Sequence, residues 1–364
     1  MATVRQKGVI SMAIPTAAPE RRIKAIGLIS GGLDSTLAAR VLLEQGLDVV
    51  GLHFSTGFCM NDHRRALARP DEEPRRMRNE GLRAGADLGI PIEVLDAGEA
   101  YLKMVLNPKH GYGKRANPCI DCRIFMIHGA ADYMREHGGD FVFTGEVLGQ
   151  RPMSQHMQAL RLIEKECALE GRLLRPLSAQ HLPPTLPEIN GWVDRERLLG
   201  ISGRSRKEQI ALSERFGLSD FPQPSGGCCF LADENFAKRF HDKRDHTPVD
   251  QIRREELILL KVGRHFRLTP AIKIIVARDA SENQFLGRFE SLGWRFEALD
   301  CGSPITLVEG DPDVEVRRLI ASITARYSDR RHEPLVEVAA RRDAIEERLH
   351  VPPAADESLE AYRI

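Results

Sequence analysis

The stretch with the clearest chemical character is Ser-Gly-Gly-Leu-Asp-Ser at residues 30–35. Two adjacent glycines allow a tight turn and let the backbone approach a ligand without a Cβ clash. The stretch joins an apolar run to a segment with helical spacing, and the N–H groups at the start of a helix attract anions. We predict a phosphate-binding loop in which Asp34 places a metal ion or the loop itself. The expected phosphate contacts come from Ser30, Gly31, Gly32, Asp34 and Ser35.

Cysteines form the second group of residues that could do chemistry. Cys119 and Cys122 make a C-x-x-C pair, and a later glycine turn carries Cys228 and Cys229. A thiolate at the start of a helix is activated for attack or for metal binding. Three interpretations stay open: a structural zinc site, a redox dithiol that carries persulfide sulfur, and a 4Fe–4S cluster held by Cys119, Cys122 and Cys228 or Cys229. The isolated cysteines are interpreted as ordinary, partly buried residues: Cys59, Cys167 and Cys301.

Strand and helix patterns alternate through the first half of the chain, which positions these groups. The alternation predicts an α/β fold with a doubly wound parallel sheet. Ligands of such sheets bind at the carboxyl ends of the strands, where the loop at residues 30–35 lies. We therefore expect Phe54, Gly145 and Gln150, which follow or end predicted strands, to border the same nucleotide site. The predicted strands are Ile26–Ile29, Asp48–Phe54, Ile92–Asp96, Phe141–Thr144 and a short run at Leu173–Leu177.

Residues 30–35 resemble the S-G-G-x-D-S signature of the PP-loop ATP pyrophosphatases, which cut ATP to AMP and pyrophosphate. Thr-Gly-Glu-x-Leu-Gly-Gln at residues 144–150, Ser154-Gln155 and Arg175-Pro176-Leu177 are similar to motifs of the tRNA 4-thiouridine synthetase family. The resemblance covers roughly residues 24–218. It implies that ATP and Mg²⁺ activate a uracil carbonyl oxygen of tRNA, and that sulfur then replaces this oxygen. The sulfur would come from sulfide or a sulfur-donor protein.

The cysteines extend this resemblance. A C-x-x-C with one distant cysteine resembles the pattern of iron–sulfur-dependent tRNA thiolases, which implies a 4Fe–4S cofactor with one open iron. Cys119, Cys122 and Cys228 would then act in catalysis together with Asp34.

A separate resemblance concerns residues 261–288. Gly-Arg-His-Phe-Arg at 263–267, and a strand that ends in a basic residue before Glu-Asn, are similar to the RNA-binding domain of NFACT-type proteins. Basic side chains outnumber acidic ones here, which predicts a local patch for RNA phosphates. The alternative is an ordinary solvated β-hairpin surface. The basic residues of the predicted patch are Lys261, Arg264, Arg267, Lys273, Arg278 and Arg288.

Composition restricts the function class. The 364 residues include 52 basic and 52 acidic side chains, so any attraction to RNA must be local rather than global. Aromatic residues make up only 6%, which argues against a base-stacking platform. Seven cysteines, an odd number, do not predict a disulfide framework, and we expect reduced thiols in the cytoplasm. No run of 18 apolar residues occurs, so no membrane partner is expected.

These patterns together predict ATP-dependent tRNA thiolation that yields 4-thiouridine or 2-thiouridine. The alternatives are a PP-loop small-molecule sulfurtransferase or amide ligase, and a non-catalytic RNA-binding factor. The modified uridine, the sulfur donor and the oligomeric state stay open. The expected organisation is a disordered leader (1–22), a PP-loop thiolation domain (23–222), a cysteine-bearing turn with an RNA-binding domain (223–310) and a charged helical tail (311–364).

Overall fold

The computed structural model describes residues 22–60, 63, 78–222 and 229–364. The predicted leader therefore lies outside the described residues except for Arg22, and so does Cys228. The described chain contains two β-sheets, one of five strands and one of six.

The first sheet is parallel at every pairing of neighbouring strands. Its order is β3-β2-β1-β4-β5, so β1 lies between β2 and β4. In a sheet of this topology the crevice at the carboxyl ends of the two central strands is the usual ligand site. The prediction of an α/β doubly wound fold is thus confirmed. The strands are β1 (Lys24–Leu28), β2 (Asp48–Ser55), β3 (Ile92–Asp96), β4 (Phe141–Thr144) and β5 (Leu173–Leu174).

Helices cover both faces of this sheet. On one face Leu37, Ala38 and Leu42 belong to a core with Phe141 and Phe143. On the other face Ile127 and Ala131 pack with Ile26 and Val142. Strands that are covered on both faces read as continuous apolar runs, which explains the sequence of β1. The helices of this part are α1 (Leu33–Leu43), α2 (Glu80–Leu88), α3 (Gly98–Leu106), α4 (Cys119–Glu136), α5 (Met157–Glu166), α6 (Leu186–Ile189) and α7 (Lys207–Arg215).

The second sheet is antiparallel, with the order β11-β10-β8-β9-β7-β6. Helices α8 (Glu234–His246) and α9 (Arg254–Leu259) precede it in the chain. The long helix α11 packs against β8, β10 and β11. The remaining elements are β6 (Arg264–Thr269), β7 (Ile272–Val276), α10 (Ala280–Leu286), β8 (Arg295–Ala298), β9 (Thr306–Glu309), α11 (Val314–Arg326), β10 (Val336–Arg342), β11 (Ile345–Val351) and α12 (Asp356–Leu359).

The expected charged helical tail at residues 311–364 is wrong. This segment contributes β10 and β11 to the second sheet, and β10 pairs with β8. The expected boundary at residue 310 therefore divides one folded unit. The reason is the pattern along β10, where Val336, Val338 and Ala340 are fully buried, Glu337 lies between two of them, and Arg341 and Arg342 follow. The sequence prediction interpreted these charged residues as a helical tail, whereas they lie on strands that are buried on one face.

None of the helices in the described part of the chain is long and apolar enough to span a membrane.

Candidate active site

The loop at residues 30–35, which the sequence predicts to bind phosphate, lies between the end of β1 and the start of α1. Gly31 has φ +78°, in the left-handed region that favours glycine. A Cβ on Gly31 would lie 2.2 Å from the carbonyl oxygen of Glu80, and Arg83 donates to the Gly31 carbonyl oxygen at 2.8 Å. The loop is therefore held tightly against α2.

The two loop serines shape the turn through their hydroxyl groups. Ser35 Oγ donates to the carbonyl oxygen of Gly32 at 2.9 Å and lies 3.2 Å from Ser30 Oγ. Among the described residues no side chain caps α1 at Gly32. The N–H groups of the first turn, with the dipole of an 11-residue helix behind them, are thus suited to an anion.

Asp34 is anchored by residues from distant parts of the chain. Its Oδ2 accepts hydrogen bonds from Gln150 Nε2 at 2.8 Å and from an Arg206 guanidinium nitrogen at 3.1 Å. Gln209 Nε2 in turn donates to Gln150 Oε1 at 3.1 Å. The structure thus brings Gln150 to Asp34. Arg206 and Gln209 were missed because no motif at the start of α7 distinguishes them from surface residues.

The backbone at Gly145 packs directly on the first turn of α1. A Cβ there would lie 2.5 Å from the Ser35 nitrogen and 2.6 Å from the Asp34 carbonyl carbon. The next residue, Glu146, is 1% exposed, and its Oε2 is 3.1 Å from Arg175 Nε. The close contact between the end of β4 and the loop therefore depends on the absence of a side chain at position 145.

The C-x-x-C pair occupies the first turn of α4. Cys119 is the first residue of the helix, and its Sγ accepts a hydrogen bond from Asn117 Nδ2 at 3.2 Å. Cys122 Sγ accepts from the Tyr101 hydroxyl at 3.2 Å. Each sulfur atom is thereby fixed by a neighbouring side chain at the start of an 18-residue helix.

The second cysteine turn approaches the same region. Cys122 and Cys229 both pack against a core cluster that contains Phe58, Tyr101 and Phe236. Cys229 faces Cys59 in an isolated antiparallel bridge, next to a hydrogen bond from Phe230 N to Phe58 O at 3.0 Å. Cys59 was interpreted as an ordinary residue, and nothing in its sequence context indicates this neighbour.

The described residues hold no preformed site for the zinc or iron–sulfur interpretation of the cysteines. In the described ranges, which exclude Cys228, no group of three or more histidine, cysteine or acidic side chains could hold a metal ion. Cys167 behaves as interpreted, because it is buried, and this burial with the nearby Glu146 charge raises the pKa of its thiol to about 12.

Phe54 lies near the carboxyl end of β2, but its ring faces α4. A Cβ on Gly129 of that helix would lie 2.9 Å from Phe54 Cζ. The structure brings Phe54 to the face of the sheet that α4 covers, and its contact with a nucleotide stays a prediction. The preceding His53 has Nδ1 2.9 Å from the carbonyl oxygen of Ile29, which ties β2 to the loop.

The predicted basic patch at residues 261–288 is only partly exposed, since Arg278 and Arg288 lie at the surface. Lys273 is fully buried near Glu309, and Lys261 is buried with its Nζ at the carbonyl oxygen of Gly57. Arg267 pairs with Asp242 and Arg278 with Glu282. The count of charges was misleading for Arg267, Lys273 and Arg278, because acidic partners outside the segment or one helical turn away pair with them.

Two family models match this chain. Residues 22–181 match the model described as thiamine biosynthesis protein (ThiI). Residues 263–363 match the NFACT protein RNA binding domain. One segment of the chain is thus similar to the ThiI model and another to the NFACT RNA-binding model, and each match covers less than half of the chain. This arrangement confirms both resemblances, and the second match extends through β10 and β11.

The chain is also similar to tRNA-specific 2-thiouridylases MnmA. It is 34% identical over 122 residues to the protein of Desulfosudis oleivorans, covering 32% of this chain and 30% of the relative. It is 25% identical over 264 residues to that of Methylobacterium nodulans, covering 70% of this chain and 63% of the relative. The chain therefore spans from about a third to less than two thirds of the lengths of these relatives.

Among solved structures, a 4-thiouridine synthetase–RNA complex with bound ATP aligns with a TM-score of 0.33 at 20% identity. The alignment covers 54% of this chain and 41% of the other.

Proposed function

We propose that the protein thiolates a uridine of tRNA at the expense of ATP. The observation that carries the proposal is the two-residue segment Gly145-Glu146, which touches both candidate sites. Gly145 packs on the phosphate loop at Asp34 and Ser35, while Glu146 lies 3.5 Å from the side chain of Arg123, the residue that follows the C-x-x-C pair. The segment Gly145-Glu146 thus connects the predicted ATP site to the helix that carries the C-x-x-C pair, and a thiolation reaction would need these two sites close together. The names of the similar thiouridylases support the same reaction.

The first step would be formation of an adenylated uridine. The loop N–H groups and the hydroxyls of Ser30 and Ser35 would hold the ATP phosphates, and a uracil carbonyl oxygen would attack the α-phosphorus. Pyrophosphate would leave. Fixed N–H dipoles that stabilise the charge of the transferring phosphoryl group are typically the largest contribution to such catalysis.

Mg²⁺ fits this site through Asp34. Its Oδ1 is buried and has no hydrogen-bond partner among the described residues. A carboxylate oxygen is a preferred ligand of this hard cation, which would also neutralise phosphate charge. Gln150 and Arg206, through Oδ2, would hold the carboxylate in place.

The second step would be sulfur transfer. A sulfur nucleophile at the cysteines would attack the activated ring carbon, and AMP would leave with the oxygen. If that nucleophile is the outer sulfur of a persulfide on one cysteine, the second thiol of the pair would attack the inner sulfur and release the thiouridine, and a thiol reductant would reduce the resulting Cys119–Cys122 disulfide. Cys119 and Cys122 supply two thiols, and the turn at 228–229 supplies a third. This donor set suits persulfide chemistry or a 4Fe–4S cluster. The described residues contain no complete group of three metal ligands. We therefore propose that Cys119 and Cys122 carry the sulfur as a persulfide, with a 4Fe–4S cluster as the alternative.

The tRNA would be bound by the carboxyl-terminal domain. Its match to an RNA-binding family over residues 263–363 supports this role. Sulfide or a sulfur-donor protein would complete the reaction, and a tRNA substrate would place it in the cytoplasm.

Mass spectrometry of tRNA nucleosides from a strain that lacks the protein tests the proposal. We expect one thiolated uridine to disappear and its unmodified form to accumulate. Complementation with the wild type should restore the nucleoside, and complementation with Cys119→Ser should not. An unchanged nucleoside profile would contradict tRNA thiolation and favour a small-molecule sulfurtransferase or amide ligase, which is consistent with the pairing of Arg267, Lys273 and Arg278 with acidic residues.

Anaerobic purification distinguishes the forms of the sulfur site. A cluster gives a brown protein with broad absorption and about four irons per chain. A colourless protein whose Cys119 or Cys122 carries an extra sulfur atom in peptide mass spectra indicates a persulfide. A colourless protein with stoichiometric zinc would rule out both.

A further inference from the structure

The ion pair between Arg123 and Glu146 is the direct link between the thiol helix and the phosphate loop. Arg123 follows Cys122 in the first turns of α4, and its Nε lies 3.5 Å from Glu146 Oε1. The arginine side chain is 25% exposed and the glutamate side chain 2% exposed. Glu146 comes two residues after the end of β4, at the edge of the sheet where the phosphate loop lies.

The carboxylate of Glu146 is fixed on its other side by a buried network. Its Oε2 accepts from Thr144 Oγ1 at 3.2 Å and from Arg175 Nε at 3.1 Å. Arg175 is 2% exposed and also pairs with Glu164 of α5. Glu146 Oε1 has no hydrogen bond from any described residue, so the Arg123 charge is what this oxygen faces. A buried carboxylate that loses such a charge is costly, which makes the pairing strong for its position.

The backbone carries this rigidity to the nucleotide loop. Gly145 packs so closely on the Asp34–Ser35 peptide that a Cβ would lie 2.5 Å from the Ser35 nitrogen. Any displacement of the loop therefore displaces Glu146, and with it the charge that holds Arg123. Two other predicted features of the site, the loop and the C-x-x-C pair, have their own local contacts, but this segment connects them.

We propose that Arg123 and Glu146 are positioning residues that couple nucleotide activation to sulfur delivery, by setting where the first turn of α4 stands relative to the phosphate loop. Neither residue needs to touch the reacting atoms. The inference rests on the proposed thiolation, and it predicts a specific defect: activation continues, while sulfur transfer to the activated base fails.

Arg123→Gln tests this in the full-length protein with tRNA, ATP, Mg²⁺ and a sulfur donor that matches the sulfur site: sulfide for a cluster, or a persulfide-carrying protein with a thiol reductant for the thiol pair. We expect pyrophosphate release within about threefold of wild type, and thiouridine formed per pyrophosphate at least tenfold lower. Arg123→Lys keeps the charge and should recover part of that ratio. The matched control is Arg135→Gln on the same helix, whose side chain is 50% exposed and pairs with Asp132, and this variant should leave the ratio unchanged.

Equal loss of pyrophosphate release and thiouridine, or no loss of either, would overturn the coupling role. Glu146→Gln is the second variant, since it removes the charge on the other side and should lower the same ratio.

A readout that does not depend on thiolation separates this inference from the proposed function. Alkylation of Cys119 and Cys122 by iodoacetamide, followed by peptide mass spectrometry, reports the placement of the first turn of α4. We expect Arg123→Gln to change these rates at least threefold and Arg135→Gln to leave them unchanged. If the wild type makes no thiouridine but alkylation changes as expected, the proposed function fails and the positioning role stands. Unchanged alkylation in Arg123→Gln overturns the positioning role.

Discussion

Asp34 shows how a single residue of the loop acquires its role from distant partners. One carboxylate oxygen binds Gln150 and Arg206, and the other is buried without a hydrogen-bond partner from the described residues. The first oxygen fixes the side chain, and the second is the oxygen that we propose as the Mg²⁺ ligand. Burial of an unsatisfied carboxylate oxygen costs stability, and such costs are typically retained at functional sites.

Asp34→Asn should weaken nucleotide activation with little change in fold. The amide keeps the shape and one acceptor for Arg206 but removes the negative charge. We expect kcat/KM for pyrophosphate release to fall about tenfold or more. A tenfold fall corresponds to a loss of about 1.4 kcal/mol of transition-state stabilisation. Steady-state pyrophosphate release at varied ATP and Mg²⁺ measures this. Asp48→Asn, at the opposite end of the adjacent strand β2, is the matched control and should stay near wild type. Equal kinetics for the two variants would contradict a role for the Asp34 charge.

At the scale of helices and strands, the main feature of the site is the close approach of the end of β4 to the first turn of α1. The chain continues from β1 to β2 on one side of the sheet and from β4 to β5 on the other, so a crevice lies between the carboxyl ends of β1 and β4. The contact of Gly145 with the Asp34–Ser35 backbone closes this crevice. The sequence motif at residues 144–150 marks this position, but the distance that makes glycine necessary appears only in the folded sheet. The same contact transmits the position of the loop to Glu146.

Gly145→Ala should therefore damage both stability and nucleotide binding. The added methyl group would meet backbone atoms at 2.5–2.6 Å, which cannot move like a flexible side chain. Overpacking of this kind costs about 1–3 kcal/mol. Chemical denaturation measures the stability, and ATP titration by calorimetry measures the binding. Gly287→Ala is the control, because its Cβ would meet only Ile305 at 3.7 Å and its φ is −58°. A Gly145→Ala variant with wild-type stability and ATP affinity would contradict the close approach.

At the scale of the whole molecule, the second domain docks on the cysteine-bearing turn. Lys261 Nζ lies at the carbonyl oxygen of Gly57 and 5.5 Å from the centre of the Phe230 ring. The His63 ring meets Phe230 edge-on at 4.9 Å and Phe285 of α10 at 5.9 Å. The domain that matches the NFACT model is thus packed against the residues next to Cys59 and Cys229 rather than attached only through a linker.

His63 makes this docking sensitive to acid. Burial, with the nearby Lys261 charge, lowers the pKa of His63 from 6.5 to about 4, against a smaller raising effect of Glu282. The folded protein holds the neutral ring, whereas the unfolded chain takes up a proton near pH 6.5. The stability that neutral His63 contributes is therefore complete above about pH 6.5 and is lost progressively as the pH falls toward 4.

His63→Phe should remove this part of the acid sensitivity. Phenylalanine can keep the edge-on contacts with Phe230 and Phe285 but has no titratable group. We expect the free energy of unfolding of the variant, relative to wild type, to rise between pH 7 and pH 5. Denaturant titrations at both pH values measure it, and His128→Gln, at a side chain that is 54% exposed, is the control. A constant difference between variant and wild type across this range would show that His63 does not titrate as expected.

Local patterns in the chain were sufficient for the parallel sheet, the loop at residues 30–35, the C-x-x-C at a helix start and the two family resemblances. Each depends on neighbours within a few residues: a glycine pair after an apolar run, a period of alternation, or a short spacing of thiols. The same reasoning failed for residues 311–364 and for the basic residues at 261–288, because strand pairing and acidic partners decide those features from outside the segment.

Only the tertiary structure decided which separate patterns meet. Arg206 reaches Asp34 across more than 170 positions of sequence, Cys59 faces Cys229, and Arg123 faces Glu146. None of these pairs has a local signature, since a contact between distant residues is set by how strands and helices stack and not by the residues beside them. The sequence therefore determined what chemistry the chain carries, and packing between elements determined which groups act on one another.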